Sequence, residues 1–408
     1  MGNIDISVVV AGAGQAAASL AFRLRENGHR GPIHLVGREA WPPYQRPPLS
    51  KKYLVGELER ERLFLKAREL YAAHDIRLLL GHEVTRIDRA TGTVAITGPD
   101  VSGLRYDALV IATGGTPRLP AGTSVSSGNI FTLRGIDDAD RMRDALVPGR
   151  RLLVIGGGYV GLELAAVARK RGLEVVLVEQ AERILFRVAC AATADYFRAL
   201  HRDHGVEIIE GAGVAALEGA ADRPAVAMLT DGRRIAFDFA VFGIGIVAND
   251  GLAREAGLAC DGGVLIDATG RTEDPAIFAA GDCARFPFDG QMVRLESVPN
   301  AVAQGEHIAD ELVHRTSRPY APLPWFWSDQ YDCKLQIAGL NMGHTAVLRR
   351  DGTKPGMRAH WYFRGDDLIA CDTMNDPRSF MLAKRWLANM KLPTAEMLAD
   401  PAFNAAAF

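Results

Sequence analysis

The sequence predicts an α/β protein that contains two copies of a strand–turn–helix–strand unit. Two observations lead to this prediction. An apolar run followed by a glycine-rich turn and an apolar helix occurs twice, first in VVVAGAGQAAASL and again in LLVIGGGYVGLEL. After each helix comes a second short apolar run, at residues 33–36 in the first copy and 175–178 in the second. Buried parallel strands joined by a helix have this pattern, so each copy is predicted to form a βαβ unit.

The first turn carries Gly12 and Gly14, and Ala17 follows in the helix. Glycine at position 12 permits a tight turn, glycine at position 14 lets the backbone approach a pyrophosphate, and a small residue at position 17 lets helix and strand pack closely. We predict a strand over residues 6–11 and a helix over 15–27, whose amino terminus faces the phosphate charge. This copy is interpreted as a dinucleotide site, the alternative being a structural turn in a plain α/β domain.

The second turn is richer in glycine, with Gly156, Gly158 and Gly161. Its second strand ends at Glu179, near the usual offset of about 20 residues. A carboxylate there accepts hydrogen bonds from the ribose hydroxyls and repels a 2′-phosphate, which favours NADH over NADPH. The alternative is a solvated carboxylate at a strand end, and Arg183 and Arg187 are near enough in sequence to weaken the preference. A chain that holds two dinucleotides can pass electrons from one to the other.

Two further charged groups are candidates for the chemistry. The proline-dense segment PPYQRPPLSK contains Arg46 and ends in Lys51. Proline fixes φ, so this loop is stiff enough to hold a cation in place, and a lysine near a flavin would stabilise negative charge on the reduced ring. The alternative is a surface linker. Glu163 is predicted in the first turn of the second helix, where the helix dipole favours a carboxylate even without a functional role.

The last third of the chain adds two motifs and a further domain. Gly281 and Asp282 follow an apolar strand in IFAAGDCARF, where a carboxylate can accept a hydrogen bond from a sugar or ribityl hydroxyl. Trp325 and Trp327 lie in PWFWSDQY at a proline-rich boundary. Paired aromatic residues usually belong to a core, but ligand sites favour domain boundaries, so both interpretations stay open. Beyond the boundary, short alternating strands and a helix over 379–390 predict a small α+β domain.

These motifs occur in one order along almost the whole chain: GAGQAAA, YQRPPLSKKYL, IATGG, IGGGYVGLELA, GIGIVAN, FAAGDCARF, ESVPNA and WFWSDQY. In number and order they resemble those of the FAD-dependent ferredoxin reductases of the putidaredoxin reductase and biphenyl dioxygenase reductase type. The resemblance implies a glutathione-reductase-like fold with two Rossmann-type nucleotide-binding domains. An FAD-binding domain over 1–110 and 243–318 is split by an NAD-binding domain over 111–242, and residues 319–408 form the α+β C-terminal domain.

The resemblance also implies an activity, partners and site residues. Members pass electrons from NADH through one tightly bound FAD, one at a time, to a two-iron two-sulfur ferredoxin that feeds a cytochrome P450 or a Rieske-type oxygenase. The catalytic positions are then Lys51, Glu163 and Trp327, with Trp327 beside the isoalloxazine. FAD contacts are expected from Gly12, Gly14, Ala16, Ala17, Arg38, Glu39, Arg46, Lys51, Val84, Ala112, Thr113, Gly114, Arg134, Gly281, Asp282, Ser297, Val298 and Trp327. NAD contacts are expected from Gly156, Gly158, Tyr159, Val160, Glu163, Glu179, Gly243, Ile244 and Gly245. No metal site is expected.

One departure from the family and one difference from the disulfide reductases bear on the chemistry. Arg38 stands where many relatives carry an acid, so the contact to the FAD ribose is left open between Arg38 and Glu39. Disulfide reductases of the same fold need a cysteine pair beside the flavin, but the loop at residues 47–50 is Pro-Pro-Leu-Ser. Electrons are therefore expected to leave the flavin directly. The alternatives are an NADH reductase of rubredoxin, a quinone or monodehydroascorbate, and a flavin-bearing interaction protein resembling apoptosis-inducing factor.

Composition narrows the setting in which the protein works. The 408 residues carry a formal net charge of −2, which gives no general attraction to nucleic acid or to anionic membranes. We expect no membrane span and no export signal, since no apolar run approaches the roughly 20 residues that span a bilayer. Five cysteines without a CxxC pair suit a reducing compartment. The sequence thus predicts a cytoplasmic protein that is a monomer or a weak homodimer.

Overall fold

The computed structural model describes residues 5–120, 128–220, 223–400, 402, 403 and 408. Strands and helices are numbered in chain order. The strands are β1 Val8–Ala11, β2 Ile33–Gly37, β3 Ile76–Leu80, β4 Glu83–Asp88, β5 Thr93–Thr97, β6 Gly103–Arg105, β7 Ala108–Ile111, β8 Gly115–Pro117, β9 Ile130–Thr132, β10 Arg151–Ile155, β11 Glu174–Glu179, β12 Glu207–Glu210, β13 Val214–Ala220, β14 Arg223–Leu229, β15 Arg234–Phe237, β16 Phe239–Phe242, β17 Ile246–Ala248, β18 Val264–Leu265, β19 Ile277–Ala279, β20 Ala284–Phe288, β21 Gln291–Val293, β22 Trp325–Gln330, β23 Cys333–Gly339, β24 Ala346–Asp351, β25 Arg358–Arg364 and β26 Asp367–Met374. The α-helices are α1 Gln15–Glu26, α2 Arg68–Ala73, α3 Ile136–Arg143, α4 Tyr159–Lys170, α5 Ala191–Asp203, α6 Gly251–Glu255, α7 Val298–His314, α8 Pro377–Asn389 and α9 Ala395–Ala399.

The chain divides into two compact units, each assembled from three segments. Unit 1 comprises Met1–Arg46, Leu58–Thr116 and Ile246–Pro322. Unit 2 comprises Pro47–Glu57, Pro117–Gly245 and Leu323–Phe408. The three-domain division drawn from the sequence remains a prediction.

Unit 1 is built on a five-stranded parallel sheet in the order β19-β7-β1-β2-β3. The three residues Val8, Val9 and Val10 of β1 are fully buried, because the sheet carries apolar clusters on both faces. Counted along the chain, this is the 3-2-1-4-5 order of a dinucleotide-binding fold. In that order ligands bind beyond the carboxyl ends of β1 and β7, where the strand order reverses. An antiparallel sheet of β4, β5 and β6 and a small sheet of β18, β20 and β21 complete the unit.

Unit 2 repeats this arrangement. Its parallel sheet has the order β12-β11-β10-β16-β9, so β10 and β16 stand where β1 and β7 stand in unit 1. Strands β13–β15 form an antiparallel three-stranded sheet. The last segment forms an antiparallel sheet in the order β22-β23-β26-β25-β24, on which α8 packs through Phe380, Ala383 and Trp386. The α/β fold class with two Rossmann-type units and an α+β C-terminal region is confirmed.

The periodic segments were predicted to within one to three residues at their ends. The helix expected over 15–27 is α1, and the strand expected over 175–178 is β11. Strand β22 was missed, because the run of tryptophan and phenylalanine after several prolines has no alternation of polar and apolar residues at its start. Among the residues that the structure describes, none forms a helix that is both long and apolar enough to cross a bilayer.

A buried polar cluster joins α5 to the C-terminal sheet within unit 2. The Asp372 carboxylate accepts hydrogen bonds from Thr193 Oγ1, at 2.8 Å, and from the Tyr362 hydroxyl. Thr193 Oγ1 lies 2.7 Å from His360 Nδ1, and the Tyr362 hydroxyl accepts from the Cys190 backbone N–H. Burial raises the pKa of Asp372 to about 6, and burial lowers the pKa of His360 to about 4. Both side chains are therefore neutral over a wider pH range in the folded protein than in water.

This cluster predicts how stability depends on pH. A carboxyl whose pKa is raised on folding adds stability below its unfolded pKa, and that stability is lost as the pH rises through its folded pKa. For Asp372 the window runs from about pH 4 to just above pH 6. An Asp372→Asn protein does not lose this stability. Its free energy of unfolding, relative to that of the wild type, should therefore rise by roughly 1–2 kcal/mol between pH 5 and pH 8.

Chemical denaturation of both proteins across this range measures the difference. His360 has the opposite pH dependence and shares Thr193 with Asp372, so the same comparison is repeated in a His360→Asn background. A difference that does not vary with pH would show that Asp372 titrates as an ordinary carboxyl.

Candidate active site

The first glycine turn lies where β1 ends and α1 begins. Gly12 has φ +128°, and a Cβ placed on it would lie 2.1 Å from the Ala112 carbonyl oxygen, so no other residue fits between β1 and the end of β7. Gly14 caps α1 without a side-chain hydrogen bond, and a Cβ there would meet nothing within 4 Å. The first backbone N–H groups of α1 thus face an open side, as a phosphate site requires.

The other candidate residues of unit 1 stand on elements around this turn. A Cβ on Gly281 would lie 3.4 Å from Ala16 Cβ, which places the Gly281–Asp282 turn against the start of α1. Ser297 caps α7 by accepting from the Asn300 N–H, and Val298 is the first residue of that helix. Unit 1 holds the following candidates: Gly12, Gly14, Ala16, Ala17, Arg38, Glu39, Arg46, Val84, Ala112, Thr113, Gly114, Gly281, Asp282, Ser297 and Val298.

Glu39 and Arg38 differ sharply in their surroundings. Glu39 accepts from Arg46 Nη2 at 2.6 Å and from the Tyr44 hydroxyl, and Arg46 Nη1 donates to that hydroxyl at 2.8 Å. The Arg38 side chain is 72% exposed, and its nearest ion-pair partner, Glu83, is 3.9 Å away. An exposed pair at this distance contributes little to stability. Glu39 is the better ordered of the two candidates for the ribose contact, and the choice between them remains a prediction.

The second glycine turn repeats the geometry of the first. Gly156 has φ +109°, and a Cβ on it would lie 2.5 Å from the Gly243 carbonyl oxygen at the end of β16. A Cβ on Gly161 would lie 2.0 Å from the Gly156 carbonyl oxygen, so α4 packs directly on its own turn. Gly158 caps α4 without a side-chain hydrogen bond. These contacts explain why the second fingerprint needs three glycines rather than two.

Glu179 lies at the end of β11 and is bonded to the glycine turn. Its Oε2 accepts from the Gly157 N–H at 2.7 Å, and its Oε1 accepts from the Ala181 N–H at 2.7 Å. A carboxylate has about four acceptor positions, so two stay available for ribose hydroxyls. The Arg183 guanidinium points to the backbone carbonyls of residues 184 and 186 instead. Glu179 is thus more than a solvated strand end, because it also orders the turn.

Lys51 and Glu163 form a buried ion pair within unit 2. Lys51 Nζ lies 2.7 Å from Glu163 Oε2, and the two side chains are 18% and 6% exposed. The Ser50 hydroxyl donates to the same oxygen at 2.6 Å, and the Ser328 hydroxyl donates to Oε1 at 2.7 Å. Burying a carboxylate is costly unless a cation and hydrogen bonds compensate it, and here both do. Pro47–Ser50 forms a 3₁₀ turn that fixes where Lys51 starts, as the proline content predicts.

The expectation that Glu163 lies in the first turn of its helix is wrong. The helix begins at Tyr159, after the glycine turn, so Glu163 is its fifth residue and belongs to the second turn. The dipole effect falls off beyond the first turn. The carboxylate is held instead by Lys51 and two serine hydroxyls, which come from distant parts of the sequence.

Aromatic rings surround the remaining candidates of unit 2. Trp327 is half-buried and stacks on Trp325, with centroids 5.5 Å apart and planes 29° apart. Phe326, on the opposite face of β22, lies 4.6 Å from the ring of Tyr159. Unit 2 holds the following candidates: Lys51, Arg134, Gly156, Gly158, Tyr159, Val160, Glu163, Glu179, Gly243, Ile244, Gly245 and Trp327.

Ser50, Ser328, Gln330 and His201 belong to this site but were not named from the sequence. Ser328 and Gln330 alternate with Trp327 along β22 and are fully buried. The sequence contains a weak signal, since two polar residues at alternating positions of an aromatic segment indicate a buried face that needs hydrogen-bond partners. Apart from the bond between Gln330 and Ser328, their side-chain partners are 113 or more residues away in sequence, so the pattern could not identify them.

The cysteines do not form a reactive pair. All five are free thiols, and burial raises the pKa of Cys283, of Cys371 and, to about 11, of Cys333. Thiols in this state are poor nucleophiles. Within the described ranges, no group of three or more histidine, cysteine, aspartate or glutamate side chains could hold a metal ion.

Comparison with known proteins identifies the family. Residues 6–305 match the pyridine nucleotide-disulphide oxidoreductase family, and residues 325–408 match the reductase C-terminal family. Putidaredoxin reductase of Pseudomonas putida is 40% identical over 98% of this chain and 95% of its own length. A probable ferredoxin reductase of Castellaniella defragrans is 39% identical over 98% of both chains.

A solved structure agrees with these relatives. In the covalent putidaredoxin reductase–putidaredoxin complex, a chain that is 38% identical superposes with a TM-score of 0.94 over 99% of this chain and 98% of its own length. The family resemblance drawn from the motifs is confirmed. The glycine turns and uncapped helices described above fit the FAD and pyridine nucleotide that this family uses. The chain belongs to the pyridine nucleotide-disulphide oxidoreductase family, as a ferredoxin reductase of the putidaredoxin reductase type.

Proposed function

We propose that this protein is an NADH:ferredoxin reductase, which passes electrons from NADH through one tightly bound FAD, singly, to a two-iron two-sulfur ferredoxin. The observation that carries the proposal is the similarity, over 98% of the chain, to a reductase named for its partner, putidaredoxin. The serine at position 50, in the loop where disulfide reductases need cysteine, supports exit of the electrons to a carrier protein. A cytochrome P450 or a Rieske-type oxygenase would then consume them.

The two glycine turns would divide the nucleotides between them. The turn at Gly12 and the other candidates of unit 1, with Lys51, Arg134 and Trp327, would hold FAD. The turn at Gly156, with Glu179 and the segment Gly243–Gly245, would receive NADH and release NAD. Two free helix amino termini of the same construction support two pyrophosphate sites. On this assignment the FAD domain covers 1–110 and 243–318, the NAD domain 111–242 and the C-terminal domain 319–408.

Lys51 and Glu163 would set the charge at the reacting ring. Bound FAD supplies the conversion between two-electron and one-electron steps, and the protein supplies position and charge. The Lys51 ammonium would favour negative charge on the flavin ring when FAD is bound, and the contact with Glu163 would hold the ammonium in place. Trp327 offers a half-buried aromatic face for the same ring. No general acid is needed, because a hydride carries its own electron pair.

The setting of the protein is also a proposal. Free thiols at all five cysteines support a reducing compartment such as the cytoplasm. A near-neutral net charge supports neither nucleic acid nor a membrane surface as a partner. We propose a monomer or a weak homodimer.

The acceptor can be tested directly. Stopped-flow mixing with NADH should bleach the flavin, and steady-state cytochrome c reduction should rise and saturate as a two-iron ferredoxin is added. Rubredoxin, a quinone and monodehydroascorbate serve as competing acceptors in the same assay. If no two-iron ferredoxin from a panel that includes putidaredoxin stimulates cytochrome c reduction, ferredoxin is not the acceptor. Slow flavin reduction with a long-lived charge-transfer band would favour an interaction protein instead.

Cofactor preference can be tested at Glu179. Glu179→Gln keeps an oxygen for the glycine turn but removes the charge that repels a 2′-phosphate. We expect the ratio of kcat/KM for NADH to that for NADPH to fall roughly tenfold, the equivalent of one charged hydrogen bond. Glu179→Ala should narrow the ratio as well, while loosening the turn for both nucleotides. An unchanged ratio in both variants would show that Glu179 does not read the ribose.

A further inference from the structure

A chain of buried polar side chains leads away from Glu163 into the body of unit 2. We propose that Gln330 and His201 are positioning residues, which hold the Ser328 hydroxyl on the Glu163 carboxylate. The inference rests on the proposed function only in that Glu163 and Lys51 act at the flavin. Its geometry stands independently of the electron acceptor.

Four hydrogen bonds link these buried side chains. Ser328 Oγ donates to Glu163 Oε1 at 2.7 Å, and Gln330 Nε2 donates to Ser328 Oγ at 3.2 Å. Gln330 Oε1 lies 2.8 Å from His201 Nε2, and the Tyr331 hydroxyl lies 3.4 Å from His201 Nδ1. Ser328, Gln330 and His201 are each fully buried. Water therefore does not replace the three bonds that link Glu163, Ser328, Gln330 and His201, and each donor depends on its neighbour.

The direction of each bond follows from the one before it, starting at Glu163. The carboxylate can only accept, so the single hydroxyl hydrogen of Ser328 points to Oε1, and Ser328 Oγ accepts from the Gln330 NH₂ group. The Gln330 carbonyl oxygen then faces His201, so His201 carries its proton on Nε2 and Nδ1 accepts from the Tyr331 hydroxyl. From His201 to Glu163, each group therefore donates to the next one along, and the last bond stabilises the negative charge of the carboxylate.

The histidine suits this task because it stays neutral. Burial lowers the pKa of His201 to about 4, against a smaller opposing effect of the Gln330 hydrogen bond. At neutral pH the ring therefore has one donor nitrogen and one acceptor nitrogen. A ring protonated on both nitrogens would lose the acceptor that faces Tyr331. In the neutral ring, the Gln330 oxygen that faces Nε2 selects the tautomer with its proton on that nitrogen.

Loss of Gln330 would release the Ser328 hydroxyl. Glu163 Oε1 would then lose its donor for part of the time, and the uncompensated charge would draw Lys51 more strongly. One weakened hydrogen bond is worth about 0.5–1.5 kcal/mol, so flavin reduction by NADH should slow by roughly three- to tenfold in Gln330→Leu. Because the residue acts through another, KM for NADH should change less than the rate constant.

A double-mutant cycle on the holoenzyme separates this role from general packing. The rate constant of flavin reduction by NADH is measured for Ser328→Ala, Gln330→Leu and the double variant. If Gln330 acts only through the Ser328 hydroxyl, the double variant should be as slow as Ser328→Ala and no slower. His360→Asn is the matched control, since His360 is an equally buried histidine that takes no part in these four hydrogen bonds. The rate constant of this variant should stay near that of the wild type.

A second readout does not depend on flavin reduction. Nitrogen NMR of histidine-labelled protein should show His201 neutral with its proton on Nε2, and this signal should shift in Gln330→Leu but persist in Ser328→Ala. Multiplicative losses in the double variant, a wild-type rate in Gln330→Leu, or a proton on Nδ1 would each overturn the inference. Failure of the proposed function looks different, because the wild-type flavin would then not be reduced by NADH or would not serve ferredoxin.

Discussion

The buried carboxylate of Glu163 is the interaction on which the arrangement of unit 2 depends. It draws together three segments that are far apart in the chain: the loop with Ser50 and Lys51, helix α4, and strand β22 with Ser328. A carboxylate this deeply buried is tolerated only when a cation and hydrogen-bond donors surround it. The need to compensate this charge therefore fixes the positions of Lys51, Ser50 and Ser328. Trp327 precedes Ser328 in β22, so Lys51 and Trp327 lie on two elements that both contact Glu163.

The two glycine turns follow from a second constraint, which is local rather than long-range. In each unit the strand before the glycine turn, β1 or β10, ends beside the neighbouring strand, β7 or β16, at which the order reverses, and a Cβ on Gly12 or Gly156 would lie too close to the carbonyl oxygen that follows that neighbour. Glycine is required by the sheet itself, and the uncapped amino terminus of the following helix supplies the charge for a phosphate. Duplicating this device gives one chain two nucleotide sites, and the Glu163 cluster lies on the helix that starts at the second.

Sequence reasoning found what is local and missed what is not. The fold class, the turns at Gly12 and Gly156 and the strand-end Glu179 depend on spacings within about 30 residues, which periodicity and glycine chemistry reveal. Lys51 and Glu163 were each suspected, but their contact joins residues 112 positions apart, and Glu163 was placed one turn too early because the helix start was estimated from the glycines. Ser328 and Gln330 gave only a weak signal and His201 gave none, since a buried polar residue shows its role only when its partner on another element is known.

Lys51 and Glu163 form one coupled unit rather than two separate charges. The most direct measurement is a double-mutant cycle on the free energy of unfolding, with Lys51→Met, Glu163→Gln and the double variant. Lys51→Met alone leaves a buried carboxylate without its cation and should cost roughly 3 kcal/mol. The double variant should recover much of this loss, because neither charge then remains unpaired. Additive losses from the two substitutions would contradict the claim and reduce the pair to two residues that happen to be close.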